Sequence, residues 1–402
     1  MDTPARSNGG LPHKKHTDIP RAEYGAFHRS EWAFIGAPCD TIRKLATDLC
    51  SALSHKYQIA YADADHQSAA KESGQDIPLT FQDSGTTMEY TDKILFHRFD
   101  YRSKASAVAL RYFFSDQDLV LVNGNHFSAK RQIVILDPRK EASLQKKTDR
   151  LNTVDLILLT EEAPTPYPFL VDHLSATGQP MPPTLMLSDL PAIADWIDGA
   201  MAKRTPPLYG LVLAGGKSTR MGHDKSLIDY HGMPQRDYAA KLLGQVCEKV
   251  FISLRHDQED TIESQTPCIT DSFLHLGPLG ALLSAFREHP NVAWLVIACD
   301  LPLLDYATIQ YLVNQRCTSA IATAFNSPVN QLPEPLVAIW EPQSYPVLLQ
   351  FLAQGYSCPR KTLINSRVHL LDPPEAKALL NVNFPAELEE AQSIIEKQLS
   401  KE

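Results

Sequence analysis

A short apolar run, Leu208 to Leu213, leads straight into Ala214-Gly215-Gly216 and then into a polar loop that carries Arg220 and Lys225. A run of this length that ends in glycines reads as a buried strand. The paired glycines permit positive φ and close backbone approach, so main-chain N–H groups can face a nucleotide. Arg220 and Lys225 stand four and nine residues past Gly216, placed to hold a triphosphate and its departing pyrophosphate. The string is neither a Walker loop nor a dinucleotide fingerprint, because Gly-Lys-Ser lacks the earlier spaced glycine and opens no helix directly. Two glycines alone would be an ordinary turn among solvated charges. The whole string through Lys225 is too specific for that account.

Later features fall where a nucleotide-binding α/β sheet would put them. Val250 to Leu254 reads as a strand that includes Ser253, and Asp271 follows a second short one. Gly277-Pro-Leu-Gly280 then opens a helix expected from Ala281, and a glycine turn at a helix N-terminus suits anions. Trp294-Leu-Val-Ile-Ala-Cys-Asp300 reads as an apolar strand ending in Asp300. Asp300 has two readings. A carboxylate at the carboxyl end of a central strand is a natural Mg²⁺ ligand; alternatively it caps a helix that starts at Leu301. Asp224 orients Lys225 or caps a turn, and Cys299 packs as a small hydrophobe.

The chain has 402 residues, long enough for two cores, and alternates short apolar runs with amphipathic stretches. That alternation predicts α/β units with a largely parallel sheet. We expect a leader over 1–29, an α/β domain over 30–200, a linker over 201–207 and a second domain over 208–402. The linker contains Lys203-Arg204-Thr205-Pro206-Pro207, which a helix cannot continue through. A formal charge of −9 argues against a general nucleic-acid binder while leaving room for a local phosphate pocket. No apolar run spans a bilayer, and residues 1–29 lack the apolar core of a secretory signal. The seven cysteines form no Cys-x-x-Cys pair, so we expect neither a zinc site nor a disulfide framework, and a cytoplasmic home.

The amino-terminal half gives a weaker signal. Trp32 to Leu45 has the outline strand, turn, helix, with Gly36 at the turn, but no Gly-Lys-Ser/Thr follows to grip β- and γ-phosphates. Strands are expected over Gln58–Ala62, Asp118–Asn123, Gln132–Leu136 and Asp155–Leu159, with helices over Thr41–Leu53 and Leu190–Met201. Asp63, Asp65 and His66 read as a polar strand-end loop rather than a metal cluster.

The carboxy-terminal string resembles the nucleotidyltransferases of the glycosyltransferase-A-like superfamily, and most closely the molybdenum cofactor guanylyltransferases. The family's Leu-Ala-Gly-Gly-x-Ser-x-Arg-Met-Gly-x-Asp-Lys loop stands at Leu213 to Lys225 without a gap. Resemblance implies a Rossmann-like sheet with helices on both faces. It implies nucleotide contacts from Leu213, Ala214, Gly215, Gly216, Lys225, Ser253, Asp271 and Asp300, with Mg²⁺ on Asp300 and charge stabilisation by Arg220, Lys225 and Asp300. The segment Pro333-Glu-Pro-Leu-Val-Ala-Ile339 resembles the family's proline segment ahead of a strand, and Asn381-Val-Asn-Phe-Pro-Ala-Glu-Leu388 its late asparagine motif. Pro335, Asn381 and Asn383 are the substrate contacts this implies. The substrates would be GTP and molybdopterin, with maturation proteins or recipient molybdoenzymes as partners and neither nucleic acid nor membrane involved. Ser253 departs from the asparagine of many relatives, and the Gly-Pro-Leu-Gly turn is shorter than the family's Gly-Pro-Leu-x-Gly. A sister enzyme using CTP or another phosphorylated acceptor, such as a sugar phosphate, and a non-catalytic scaffold in cofactor maturation stand as alternatives; intact Arg220, Lys225 and Asp300 oppose the latter. The amino-terminal half resembles the P-loop adaptor that partners such enzymes. Asn123 replaces its acidic strand end and its loop lysine has no counterpart, so that half is expected to be a degenerate P-loop-like domain with a turn unable to hold a nucleoside triphosphate.

Overall fold

The computed structural model describes residues 30–64, 86–101, 109, 113–215, 225–256, 258, 266–382 and 384–399. Two separate α/β sheets divide these residues. The first region runs β1 (Ser30–Ile35), α1 (Cys39–Leu53), β2 (Ile59–Ala62), a hairpin of β3 (Met88–Asp92) and β4 (His97–Tyr101), β5 (Leu119–Asn123), β6 (Arg131–Leu136), α2 (Glu141–Gln145), β7 (Val154–Leu159), α3 (Pro168–Ala176), β8 (Thr184–Met186) and α4 (Leu190–Ala202). Its sheet has the order β2-β5-β1-β6-β7-β8, and every neighbouring pair is parallel. Parallel strands are covered on both faces and therefore read as continuous apolar runs. β1 and β5 are buried at every position.

The second region runs β9 (Leu208–Leu213), α5 (Gln235–Leu243), β10 (Lys249–Leu254), β11 (Cys268–Thr270), α6 (Pro278–Glu288), β12 (Ala293–Ala298), α7 (Tyr306–Asn314), β13 (Ala322–Asn326), β14 (Pro333–Trp340), α8 (Ser344–Ala353), α9 (Pro359–Ile364), β15 (Val368–Leu371) and α10 (Pro385–Leu399). The sheet order is β11-β10-β9-β12-β14-β13-β15. It is mixed, where a largely parallel sheet was expected: β14 runs antiparallel to both β12 and β13. Alternate residues of one strand point to opposite faces. Val212, Leu295 and Ile297 pack with Leu243 of α5 and Ile309 of α7. Leu211, Trp294 and Val296 pack with Leu282 and Phe286 of α6 and Leu348 of α8. Helices thus cover both faces, and β9 and β12 lie side by side at the centre.

The joint between the sheets is pinned from the second region. Arg316, just past α7, donates to both oxygens of the fully buried Glu341 at 2.6 and 2.9 Å. A further guanidinium N–H reaches the carbonyl of Pro206 at 3.0 Å. Contacts also cross directly: Arg367 stands 3.8 Å from Asp118, and Ser319 Oγ donates to the Lys56 carbonyl at 3.5 Å. No described helix is long and apolar enough to cross a membrane.

Candidate active site

The parallel pairing of β9 with β12 matches Leu213 to Ala298, so the glycine loop and Asp300 leave the sheet at the same edge. Gly216, Arg220 and Asp224 lie outside the described residues, as does Asn383. Ala214 is buried, and its N–H bonds the carbonyl of Ser253 at 3.3 Å, which fastens the start of the loop to β10. Gly215 accepts at its carbonyl from Arg255 Nη1 at 2.6 Å. The first two residues past β9 are therefore tied to the neighbouring strand end.

Lys225 and Asp300 are brought together with the late asparagine motif through one residue. Val382 donates its N–H to the main-chain oxygen of Asp300 at 2.8 Å, and Lys225 Nζ donates to the Val382 carbonyl at 3.1 Å. Asn381, its neighbour, is exposed at this edge. Burial pushes the Asp300 carboxyl up from its usual range and the nearby Lys225 charge pulls it back. Asp300 Oδ1 is shielded from solvent and has no hydrogen-bond partner among the described residues. An orphaned carboxylate oxygen of this kind fits a hard divalent cation, which takes oxygen ligands. The helix-cap reading of Asp300 does not hold. The next helix, α7, begins at Tyr306, and Asp305 caps it by accepting from Thr308 N–H at 2.8 Å.

Ser253 and Asp271 meet on the other side of β9. Ser253 Oγ donates to Asp271 Oδ1 at 3.0 Å, and the Asp271 N–H bonds the Leu254 carbonyl at 2.8 Å. Burial raises the Asp271 carboxyl, against the Ser253 bond and the Arg255 charge. The glycine turn after it begins α6 at Pro278, three residues earlier than expected, so Gly280 lies inside the helix. A Cβ on Gly280 would stand 2.3 Å from the carbonyl oxygen of Phe273, so only glycine allows this approach.

Pro335 lies within β14 rather than ahead of a strand; it is buried and its carbonyl accepts from Trp340 Nε1 at 3.2 Å. The reading of the sequence missed its neighbour Glu334. Ile297 pairs with Val337, and that antiparallel register continued outward sets Asp300 opposite Glu334. Burial raises the Glu334 carboxyl and Arg360 opposes this, while the Asp300 charge adds to the rise. Arg360 Nη2 donates to Glu334 Oε2 at 2.8 Å and its Nε to the Pro333 carbonyl at 3.0 Å. A charge inside an apolar strand was the available signal for Glu334; Arg360 offered none. Tyr230 was missed too. Burial lifts its hydroxyl to about 12, and the Asp300 charge contributes. Beside it, His231 stacks on Tyr238 at 3.7 Å and contacts the Pro302 carbonyl at 2.9 Å, and burial lowers its basicity.

The glycine turn of the first region is built differently. Gly36 adopts φ +99, and a Cβ there would stand 2.4 Å from the Ile135 carbonyl oxygen. Thr41 Oγ1 accepts from Arg139 Nη2 at 3.3 Å, and Arg139 also pairs with Asp137. Asn123 Nδ2 donates to Asp63 Oδ1 at 2.8 Å, and Tyr61 and Arg43 hold the other Asp63 oxygen. Burial works to raise Asp63, and these donors together keep it below the usual carboxylate range. Cys39 Sγ lies 3.3 Å from His126 Nε2. Asp65 and His66 lie outside the described residues, among which no cluster of three or more metal-ligating side chains occurs.

A central parallel β-pair with helices on both faces thus leaves Gly215, Lys225 and the orphaned Asp300 oxygen at one carboxyl edge, the arrangement of a nucleotide-binding α/β sheet. Residues 210–369 match the model of the MobA-like NTP transferase domain. A molybdenum cofactor biosynthesis bifunctional protein of Synechocystis sp. is 36% identical over 180 residues, which cover 44% of this chain and 52% of that one. The chain thus spans about half the length of that relative. A probable molybdenum cofactor guanylyltransferase of Synechococcus elongatus is 31% identical over 187 residues, 44% of this chain and 94% of its own length. The molybdopterin-guanine dinucleotide biosynthesis protein A of Archaeoglobus fulgidus, a crystal structure, aligns with TM-score 0.41 and 19% identity over 47% of this chain and 99% of that one. The chain belongs to the MobA-like NTP transferase family.

Proposed function

We propose that the second region transfers GMP from GTP to the terminal phosphate of molybdopterin and releases pyrophosphate. The carrying observation is the clamp at Val382, which holds Lys225, Asp300 and the asparagine motif at one sheet edge. An acceptor phosphate oxygen would attack the α-phosphorus, and the bond to the β-phosphate would break. No protein nucleophile is required, so positioning and charge neutralisation supply the catalysis. Asp300 would hold Mg²⁺, which when bound neutralises charge on the phosphates. Lys225 would place its ammonium on the departing pyrophosphate, with Arg220 as the second cation. The backbone of Leu213 to Gly216 would face the nucleotide. Ser253 and Asp271, locked to each other, would border it, while Pro335, Asn381 and Asn383 would face the pterin.

The names of the relatives support guanylyl transfer, and Ser253 in place of the usual asparagine motivates a check of the base. Pyrophosphate release with GTP and with CTP, each with and without molybdopterin, is the test. Release that needs GTP and molybdopterin together is expected. Equal or greater release with CTP would overturn the choice of nucleotide, and release indifferent to molybdopterin the choice of acceptor. We infer that the Gly36 turn of the first region holds no nucleoside triphosphate, since its polar groups are already engaged by one another and Pro38 removes an N–H donor.

A further inference from the structure

A cavity of about 500 Å³ opens at the edge of the first sheet opposite the Gly36 turn, and its lining includes Trp32, Arg131, Asp155, Trp196, Lys203 and Arg204. Its place follows from topology. Arg131 is the first residue of β6, Asp155 the second of β7, and Trp32 pairs with Arg131 in the parallel register, so all three lie toward the amino ends of adjacent strands. The carboxyl-terminal half of α4 and the two residues after it close the other side. Ligand pockets commonly measure about 300–1,000 Å³, so this one suits a small organic molecule.

Its chemistry is aromatic and cationic. The Trp196 ring meets the fully buried Trp32 edge to face at 5.9 Å, and the Arg204 guanidinium sits 5.2 Å over the Trp32 ring. Asp155 is already shared. Its Oδ2 accepts from Trp32 Nε1 at 2.8 Å, and Arg131 grips both of its oxygens. Arg131, Lys203 and Arg204 outnumber the two acidic lining residues, Asp155 and Asp195. Burial and the neighbouring Arg131 both work against the Arg204 charge, and Asp155 only partly offsets them. An incoming anion would relieve that repulsion, and a flat ring would add stacking to the aromatic wall.

We propose that this cavity binds a planar heteroaromatic anion of mononucleotide size, through the Trp196 ring and the cations Arg204 and Lys203. The site lies apart from the transferase edge and at the joint between the two sheets, because Lys203 and Arg204 belong to the segment that leads into β9.

Calorimetric titration of the full chain with GMP and AMP, without divalent metal, tests this. Inorganic phosphate and guanosine serve as the ring-free and charge-free controls. Saturable binding of a mononucleotide is expected, with each control at least about tenfold weaker, since each lacks one of the two interactions. Arg204→Ala and Trp196→Ala should each weaken binding by about tenfold or more. Lys203→Ala, at an exposed position past the helix end, serves as the variant least able to disturb folding and should weaken the anion without changing the melting temperature. No binding of either mononucleotide overturns the proposal. So does binding that survives all three substitutions, which would assign the nucleotide to the transferase edge, and so does guanosine binding as tightly as GMP.

Discussion

Asp300→Asn separates the chemistry of the transferase edge from its architecture. Asparagine is nearly isosteric with aspartate, and the main-chain oxygen that receives the Val382 N–H is untouched. The substitution removes one charge from a site where burial already works against that charge. A divalent ion on phosphate oxygens is worth several kcal/mol of transition-state stabilisation. Loss of about 3–4 kcal/mol corresponds to a fall of roughly two to three orders of magnitude in turnover. Stability should move the other way. Without metal, the mutant should melt at or above the wild-type temperature, because a carboxylate that gains little from its surroundings has been removed. Pyrophosphate release at saturating Mg²⁺, paired with melting curves with and without Mg²⁺, reads both effects. Wild-type turnover would remove Asp300 from the metal. A much lower melting temperature together with lost activity would refute the reasoning from a different side, by making Asp300 a structural residue.

Lys225→Ala should weaken GTP binding and slow transfer by about 10–100-fold, the worth of a charge-assisted contact of roughly 1.5–3 kcal/mol, and Lys225→Arg should recover part of it; unchanged affinity and rate together would remove the residue from the phosphate site. Arg316→Met leaves Glu341 buried without its partner and should cost about 3–5 kcal/mol of stability in denaturant unfolding, whereas a double replacement that also neutralises Glu341 should recover most of it. Asp118 supplies a pH signature, since burial lifts its carboxyl to about 6 from the ordinary 3.8, against the Gln58 N–H bond and the Arg367 charge. With the folded value above the unfolded one, its contribution is full below about 3.8 and is lost as pH rises through about 6. The stability of Asp118→Asn relative to wild type should therefore climb between those values by up to roughly 3 kcal/mol, read from melting curves at stepped pH, and a flat difference would contradict the shift.

Much of the fold was legible because buried parallel strands announce themselves. Leu208–Leu213 was read at its observed bounds, and α4 and β10 within one residue at an end. What stayed hidden depended on partners far along the chain. The direction of β14 is set by its pairing with β12 and β13, and nothing within Pro333–Trp340 states it. The hairpin β3–β4 alternates exposed and half-buried residues around Lys93–Phe96, and its apolar side faces outward, a pattern that hydrophobic burial alone would not select. At the transferase edge, Asp300 is singled out by its place at the end of an apolar run. Glu334 is not, because its relation to Asp300 exists only once the antiparallel register is known. The opposite error occurred at Gly280, where glycine was read as part of a turn. The crowding by Phe273 shows that its need is for space inside a helix.

The bonds at Val382 tie the proposed metal ligand and the proposed acceptor motif into one mechanical unit. Its N–H is fixed to the residue proposed to hold Mg²⁺, and its carbonyl to the lysine proposed to hold the departing phosphates. When a triphosphate draws the Lys225 ammonium toward itself, the Val382 carbonyl loses a charged donor, and the Asn381 segment must either follow the lysine or find another partner. Occupation of the nucleotide site would then adjust the acceptor motif before any acceptor binds. Ordered addition, nucleotide first, is the kinetic consequence. It would appear as uncompetitive inhibition by an acceptor-site ligand against varied GTP in initial-rate measurements. Lys225→Met, which keeps the side-chain bulk but cannot donate, should abolish that order as well as slow the reaction. If the order persists in Lys225→Met, the link does not run through Val382.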